Sequence, residues 1–326
     1  MVDAPTLVAD VVEPTRFNPY MREASTRLNA FFRAGIIAAV PDVSIANGAE
    51  GGTQVNMPFW AALNQRAQLL DDTTDLTIQK VTSGKDVAVL NGRSLVYGAS
   101  DMAAALAGDD PMRAIGDGIA ENWSYEFNQV LIAVLRGAMG ALQNEVGSPN
   151  VLDISHLSGA AAQINGSTFI DAGQKMGDFK DRIVGVAMHS AVESWLRKQD
   201  LITFVKPSDG EAELPYFQGK RVIVDDALAA DSGSIYTTYL FGPGAIGYAE
   251  GDAKVPTEIF RQPLKGSGQD CLITRRLFVM HPRGIKWIGT TQKQTPSDAE
   301  LSIASNWSRV YDPKNIRCVR FVHKIG

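Results

Sequence analysis

The run Gly242-Pro243-Gly244-Ala245-Ile246-Gly247 carries the G-x-G-x-x-G spacing with which a backbone approaches a pyrophosphate at a helix N-terminus. A strand pattern precedes it, but Tyr248-Ala249-Glu250-Gly251-Asp252 follows, and that stretch opens no helix whose dipole would face phosphates. His189 and Ser190 stand side by side where a strand pattern meets a helix pattern, so an imidazole and a hydroxyl are available as base and nucleophile. Adjacent residues at a strand end point in different directions, however, and Ser190 reads better as a helix N-cap. The carboxylate pairs Asp71-Asp72, Asp109-Asp110 and Asp225-Asp226 are of the kind that divides acid and base roles when the two surroundings differ. Each has a simpler reading: a polar excursion, a helix cap and a strand end. No Walker-type loop, H-E-x-x-H, G-x-S-x-G or paired C-x-x-C occurs. The sequence thus offers no catalytic residue, no metal ligand and no cofactor site, and the expectation is a protein that is not an enzyme.

Cys271 and Cys318 are too few for a disulfide framework, and both read as core or surface thiols. The sequons at Asn122, Asn165 and Asn306 carry no weight without a secretory start. Arg275-Arg276, with Arg283 and Lys286 further on, reads as a solvated strand face or an interface charge set. A net charge of −5 excludes a dedicated nucleic-acid binder, whose affinity would rest on a basic face and counterion release. No apolar run approaches the roughly 20 residues that a membrane helix requires.

The elements that must position these residues are led by one long helix. Asp109 or Asp110 caps it and Pro111 takes the first-turn position that tolerates a missing donor. Met112, Ile115, Ile119, Trp123, Phe127, Val130, Val134 and Ala138 then recur at steps of three and four, which predicts one apolar stripe over 111–142. Before it, 53–59 alternates as a half-buried strand that Pro58 confines to an edge. Two further alternating runs are 76–81 and 87–97, the latter broken at Asn91-Gly92. An isolated hairpin of this polarity is marginal in water, so it must order itself against something else, and a second copy of the chain is the sharper choice.

The 326 residues, 45 % hydrophobic and 21 % charged, can bury a sizeable core in two subdomains with extended arms. A helix is predicted through Phe31-Phe32, a short Ala-rich one over 102–106, and others over 167–176 and 191–200. Strands are predicted over 183–188, 221–224, 235–241, 257–260, 272–280, 284–288 and 316–323, the last returning to an earlier sheet. Strands and helices without regular alternation give an α+β class.

The ordered phrases Phe17-Asn18-Pro19-Tyr20, 25–37, Val55-Asn56-Met57-Pro58-Phe59-Trp60, 84–90, Gly108-Asp109-Asp110-Pro111-Met112, Met188-His189-Ser190 and 216–226 resemble the major capsid proteins of tailed bacteriophages, the Hong Kong 97-type fold. The resemblance implies an N-terminal arm (1–48), an extended loop (49–98) and a peripheral domain (99–149 and 251–326, with spine helix 111–142). An axial domain (150–250) completes it. It further implies self-assembly through pentamers and hexamers into an icosahedral shell enclosing double-stranded DNA, in the virion capsid, assembled in the host bacterial cytoplasm. Scaffolding, portal and decoration proteins are the implied separate partners, DNA contact would not be sequence-specific, and no membrane is involved. Some related shells cross-link lysine to asparagine; Lys80, Lys85, Asn306 and Asn315 are the residues in the corresponding regions, and noncovalent stabilisation is the expectation. Two other readings compete: an encapsulin-like nanocompartment shell of the same fold, and a soluble enzyme using the loop from Gly242 to Gly247.

Overall fold

A computed structural model describes residues 29–39, 53–60, 66–68, 75, 78, 80–81, 83–101, 111–206, 213–228, 233–251, 253–262 and 268–326, with the side chains of the long helix described from 118 onward. In chain order, a short helix (Ala30–Arg33) leads to β1 (Ile37–Ala39), β2 (Gln54–Trp60), β3 (Ser83–Ser100) and the long helix (Pro111–Gln143). There follow β4 (Val151–Asp153), a helix (Gly166–Gln174), β5 (Gly185–Met188), a helix (Ser190–Lys198), β6 (Ile202–Val205), β7 (Leu214–Phe217), β8 (Lys220–Val224) and β9 (Ile235–Phe241). The chain ends with β10 (Ile246–Gly251), β11 (Thr257–Gln262), β12 (Gln269–Pro282), β13 (Ile285–Trp287), a short helix (Asp298–Leu301), β14 (Trp307–Arg309) and β15 (Cys318–Lys324).

The 33-residue helix begins at Pro111 as its sequence predicts, and at 1.5 Å per residue it spans about 50 Å. Its first described turns bury Ile119 and Trp123 against Leu95, Tyr97, Ile259 and Leu272. Beyond Phe127 the predicted stripe widens, because Leu131, Ile132, Ala133, Leu135 and Met139 are buried as well as Val130, Val134 and Ala138. The cause is a second wall, the 298–307 segment. Trp307 Nε1 donates to Leu301 O at 2.8 Å, and that carbonyl lies where a side chain on Gly137 would stand, 2.0 Å from an ideal Cβ. Only glycine lets the segment come so close.

A seven-stranded sheet, in the order β4-β15-β9-β5-β8-β7-β6, lies beyond one side of this core. Its strands alternate between two cores, as period-2 geometry requires. Tyr239, Phe241, Ala187, Ile223 and Cys318 join the core around the long helix. Leu240, Val186, Met188, Val222, Val319 and Phe321 face a second core that also holds Phe169, Ala172, Val192 and Leu196 of the two nine-residue helices. Asn165 and Thr168 form a capping box at the first of these helices, each side chain bonding the other's backbone N–H at 2.9 Å.

The other sheet has six strands, β1-β10-β12-β3-β2 with β11 also on β12. β12 is the shared member: β3 pairs along one edge from Gln269 to Val279, while β11 and β10 pair successively with its two halves. β2 pairs with Ser83 to Val89 of β3 and occupies the sheet edge, where Pro58 is tolerated. The turn from Gly242 to Ala245 carries the chain from β9 in one sheet to β10 in the other. Gly244 adopts φ +60 there and donates to Gly35 O at 3.0 Å.

Several sequence expectations are corrected. Asn91-Gly92 does not break β3, which runs unbroken for 18 residues because β12 pairs across that point. From Leu90 onward β3 pairs with β12 in the body sheet. The C-terminal strand β15 does return to an earlier sheet, as its sequence predicts, lying between β4 and β9 in the seven-stranded sheet. Of the run 76–81, Ile78, Lys80 and Val81 are described and form no strand. The arm before Asn29, the 102–106 helix and the Asp109-Asp110 cap lie outside the described residues.

Candidate assembly surface

The candidate chemistry resolves into structural roles. The Gly242–Gly247 run passes from strand through turn into β10, so no helix N-terminus faces it. His189, and not Ser190, is the N-cap, its Nδ1 accepting from Ala191 N at 3.0 Å. Ser190 N donates to Asp226 Oδ1 at 3.3 Å, and His189 Nε2 lies 3.8 Å from the same carboxylate. The hydroxyl and imidazole therefore both address Asp226 and do not form a nucleophile–base relay. The Ser190 hydroxyl, with its backbone N–H and the nearby His189, holds Asp226 below the usual carboxylate range despite the opposing effect of desolvation, whereas burial raises Asp225. That divergence suits acid–base chemistry, but neither carboxylate lines the two clefts described below.

Arg275 and Arg276 point to opposite faces of β12. Arg275 pairs with Glu258 at 2.9 Å in solvent, while Arg276 is buried, 3.2 Å from Glu250 and with its guanidinium about equally close to the Trp123 and Phe127 rings. Burial pushes the Cys318 thiol above its ordinary range, which leaves it unreactive. Asn306 donates to Glu300 O at 2.9 Å. Asp71-Asp72 and Asp109-Asp110 lie outside the described residues, and among the described residues no three His, Cys, Asp or Glu side chains gather to hold a metal.

The hairpin divides into a fixed base and an exposed reach. At its base Asp86 is buried: Oδ2 accepts from Gly284 N at 3.0 Å and Oδ1 from Val87 N at 3.0 Å, with His281 Nε2 also 3.0 Å away. Burial opposes ionisation of Asp86, but His281 and the two backbone donors outweigh it, and the carboxyl stays below its ordinary value. Sequence reading missed this pair; a lone Asp in an alternating strand and a His 195 positions away give no local signal. Toward the other end, Trp60 is 74 % exposed and Ile78 97 %.

A second open surface is the outer face of β3, β12 and β11. Cross-strand register puts Val96 beside Ile273, and Phe260 beside Cys271, on that face. Val96 is 59 % and Phe260 48 % exposed. Apolar side chains aligned on a sheet face with nothing over them mark a contact surface when contiguous. Two clefts adjoin the hairpin: one of about 520 Å³ beneath Phe59 and Trp60, the other of about 430 Å³ over Asp86 and His281.

This architecture of long helix, edge hairpin and two sheets recurs in solved phage shells. The capsid of Ralstonia phage GP4 superposes with TM-score 0.55 at 8 % identity, covering 91 % of this chain and 92 % of that one. The Microbacterium phage Oxtober96 structure gives 0.53 at 11 % identity, with 90 % of each chain covered. The head structure of Helicobacter pylori bacteriophage KHP40 gives 0.52 at 10 %, with 91 % of each covered. The class is thus the tailed-phage capsid fold of the Hong Kong 97 type. No protein-family profile matches the sequence, but the major capsid protein of Bacillus phage SPP1 is 44 % identical over 327 aligned positions, covering 98 % of both chains. The chain belongs to the family of bacteriophage major capsid proteins. It is a structural component of the virion capsid, not an enzyme, and it forms the shell from copies of itself.

Proposed function

We propose that copies of this chain assemble through pentamers and hexamers into an icosahedral shell that encloses double-stranded DNA, formed in the host bacterial cytoplasm. The observation that carries this reading is the hairpin, anchored through buried Asp86 at one end and exposed at Trp60 and Ile78 at the other. Apolar groups left in water on a projecting ribbon gain burial only against another surface, so folding of that segment is coupled to assembly. Heterologous contacts repeated about an axis close into rings, and many modest interfaces give a persistent container.

In this reading residues 1–48 are the arm and the hairpin from 49 to about 90 is the loop across a neighbour. The long helix with β10 to β14 forms the peripheral domain. Residues 150–241 joined by β15 form the axial domain. Contact with DNA is not sequence-specific, in keeping with a net charge of −5. Shell stability is noncovalent, and scaffolding, portal and decoration proteins are separate chains. Deleting residues 64–75 tests the loop's role: size exclusion and negative-stain microscopy should show a folded, soluble chain that forms no particles. Normal particles from that deletion would sink it.

A further inference from the structure

We propose that the open edge of β3, from Ser94 to Ser100, pairs antiparallel with the same edge of a second copy about a two-fold axis through Tyr97. The two halves of β3 are bonded on opposite edges. β2 lies along one edge as far as Leu90, whose N–H donates to Thr53 O at 2.9 Å, and β12 lies along the other from Leu90 to Ser100. In an antiparallel strand alternate residues turn both main-chain groups to the same side. Leu90 turns toward β2, so Gly92, Ser94, Val96 and Gly98 turn to that side too. The 295–298 segment covers the first part of this edge, with Thr295 Oγ1 donating to Gly92 O at 3.4 Å and Arg93 to Pro296 O at 3.0 Å. From Ser94 to Gly98 no strand lies against it among the described residues.

The other edges of this sheet are blunted. β1 is three residues long, and on β2 the outward-turned Pro58 has no N–H to offer. On β11, Glu258 and Arg261 carry charge along the edge strand. The stretch 94–100 reads Ser-Leu-Val-Tyr-Gly-Ala-Ser, with no proline and no charge. An apolar edge of this kind is a template for a further strand. Extension of β2 along it is opposed by Gly51-Gly52, which immediately precede Thr53 and weaken a strand.

The occupant follows from the limits of the edge and from its side chains. The 295–298 segment closes one end at Arg93, and the other ends at Asp101, held by Arg261 at 2.7 Å. Residues 94–100 paired with themselves between these stops put Tyr97 on the axis. Val96 then exchanges main-chain bonds with the partner's Gly98, and Leu95 lies opposite the partner's Ala99, so these larger residues meet small ones. Without charge in the stretch, self-pairing sets no like charges against each other. A contact of this symmetry closes on itself, and copies of this chain are what the shell is made of. The pairing rests on the icosahedral reading above, whose symmetry includes two-fold axes.

Cysteine pairing in assembled particles tests it. In a Cys271→Ser background, Ser94→Cys combined with Ser100→Cys should give a disulfide-linked dimer on mild oxidation, because opposed residues of a bonded antiparallel pair lie about 5.5 Å apart. Within one copy the two positions are about 20 Å apart along the strand, so every link joins two copies. Either substitution alone should give no dimer, since each position then faces its counterpart at about that same distance. Val96→Pro removes an N–H that points away from β12, so the unassembled chain should keep its denaturant midpoint while particle yield falls at least about tenfold. Leu95→Pro, which removes a bond to β12, should lower that midpoint. Normal particles from Val96→Pro, or oxidised particles of the double variant that hold only single chains, would overturn the pairing and leave the shell reading standing. In a Ser94→Cys, Ile78→Cys variant, a link between those two positions would assign the edge to the hairpin tip and overturn it as well. Failure of the unmodified chain to form particles would remove the shell reading and this pairing with it.

Discussion

The seven-stranded sheet and the outer part of the six-stranded sheet are built from similar strands but meet solvent in opposite ways. The first has both faces covered, by the long-helix core on one side and two short amphipathic helices on the other, and its central strands present almost no apolar surface to water. The second, among the described residues, is covered on one face only. Its outer face shows Val96 and Phe260, and its hairpin, held by buried Asp86 and by Phe59 against Tyr311, ends in the exposed Trp60. The same period-2 pattern thus gives a self-sufficient layer where helices follow the strands in sequence, and an open one where the described residues supply no cover. In a shell protein the open layer is where neighbours belong.

The contrast can be broken most forcefully in the closed sheet. Phe321→Ala, which empties a fully buried ring position on β15, should destabilise the chain by about 3–5 kcal/mol. Denaturant unfolding should show this loss, with particle yield falling because less chain is folded.

The hairpin anchor comes next. Asp86→Ala leaves His281 buried without its carboxylate and should lower stability by about 3 kcal/mol. The double variant with His281→Ala should recover part of that, and hydrogen exchange should show the loosening concentrated in β2 and the first half of β3.

Acid sharpens the comparison through His323, fully buried in β15 with Thr238 Oγ1 at 2.8 Å from its Nε2. Burial lowers its pKa to about 4, against an ordinary 6.5. Below about 6.5 the unfolded chain takes up a proton that the folded chain refuses, so stability is full above that pH. It then falls by up to roughly 3 kcal/mol as pH drops toward 4. Asp86 acts lower, its contribution being lost as pH falls below the ordinary carboxylate value of 3.8 and through its depressed pKa. Thermal melts across this range should show the His323 loss, and His323→Gln should flatten it.

The smallest effect on folding should come from the open face. Val96→Asp with Phe260→Asp should change unfolding free energy by no more than about 0.5 kcal/mol, while particle yield drops. Destabilisation matching that of Phe321→Ala would erase the distinction between the two sheets.

Much of this was legible beforehand. The long helix was readable from its Asp-Asp-Pro start and spacing, and most later strands from alternation, with β9 recovered at both ends. What escaped was short or context-dependent. β1, β4 and β14 are three residues each and hold their form through partners far away in sequence. Asn91-Gly92 looks like a break and becomes mid-strand because β12 pairs across it. The helix cap moved from Ser190 to His189 because the Asp226 carboxylate draws the Ser190 hydroxyl and N–H. The Asp86–His281 anchor joins residues whose local patterns say nothing of each other.

The sequence by itself determined where the long helix begins and which stretches extend. Those are local matters, settled by residue type, spacing and backbone preference. Only the tertiary structure decided that β15 enters the seven-stranded sheet, that Arg276 is buried while Arg275 is not, and that a basic cleft forms beneath Trp60. Sheet order and burial depend on contacts between residues far apart in sequence, such as Cys318 with Phe241 and Arg320 with Val151, and no local window carries that information.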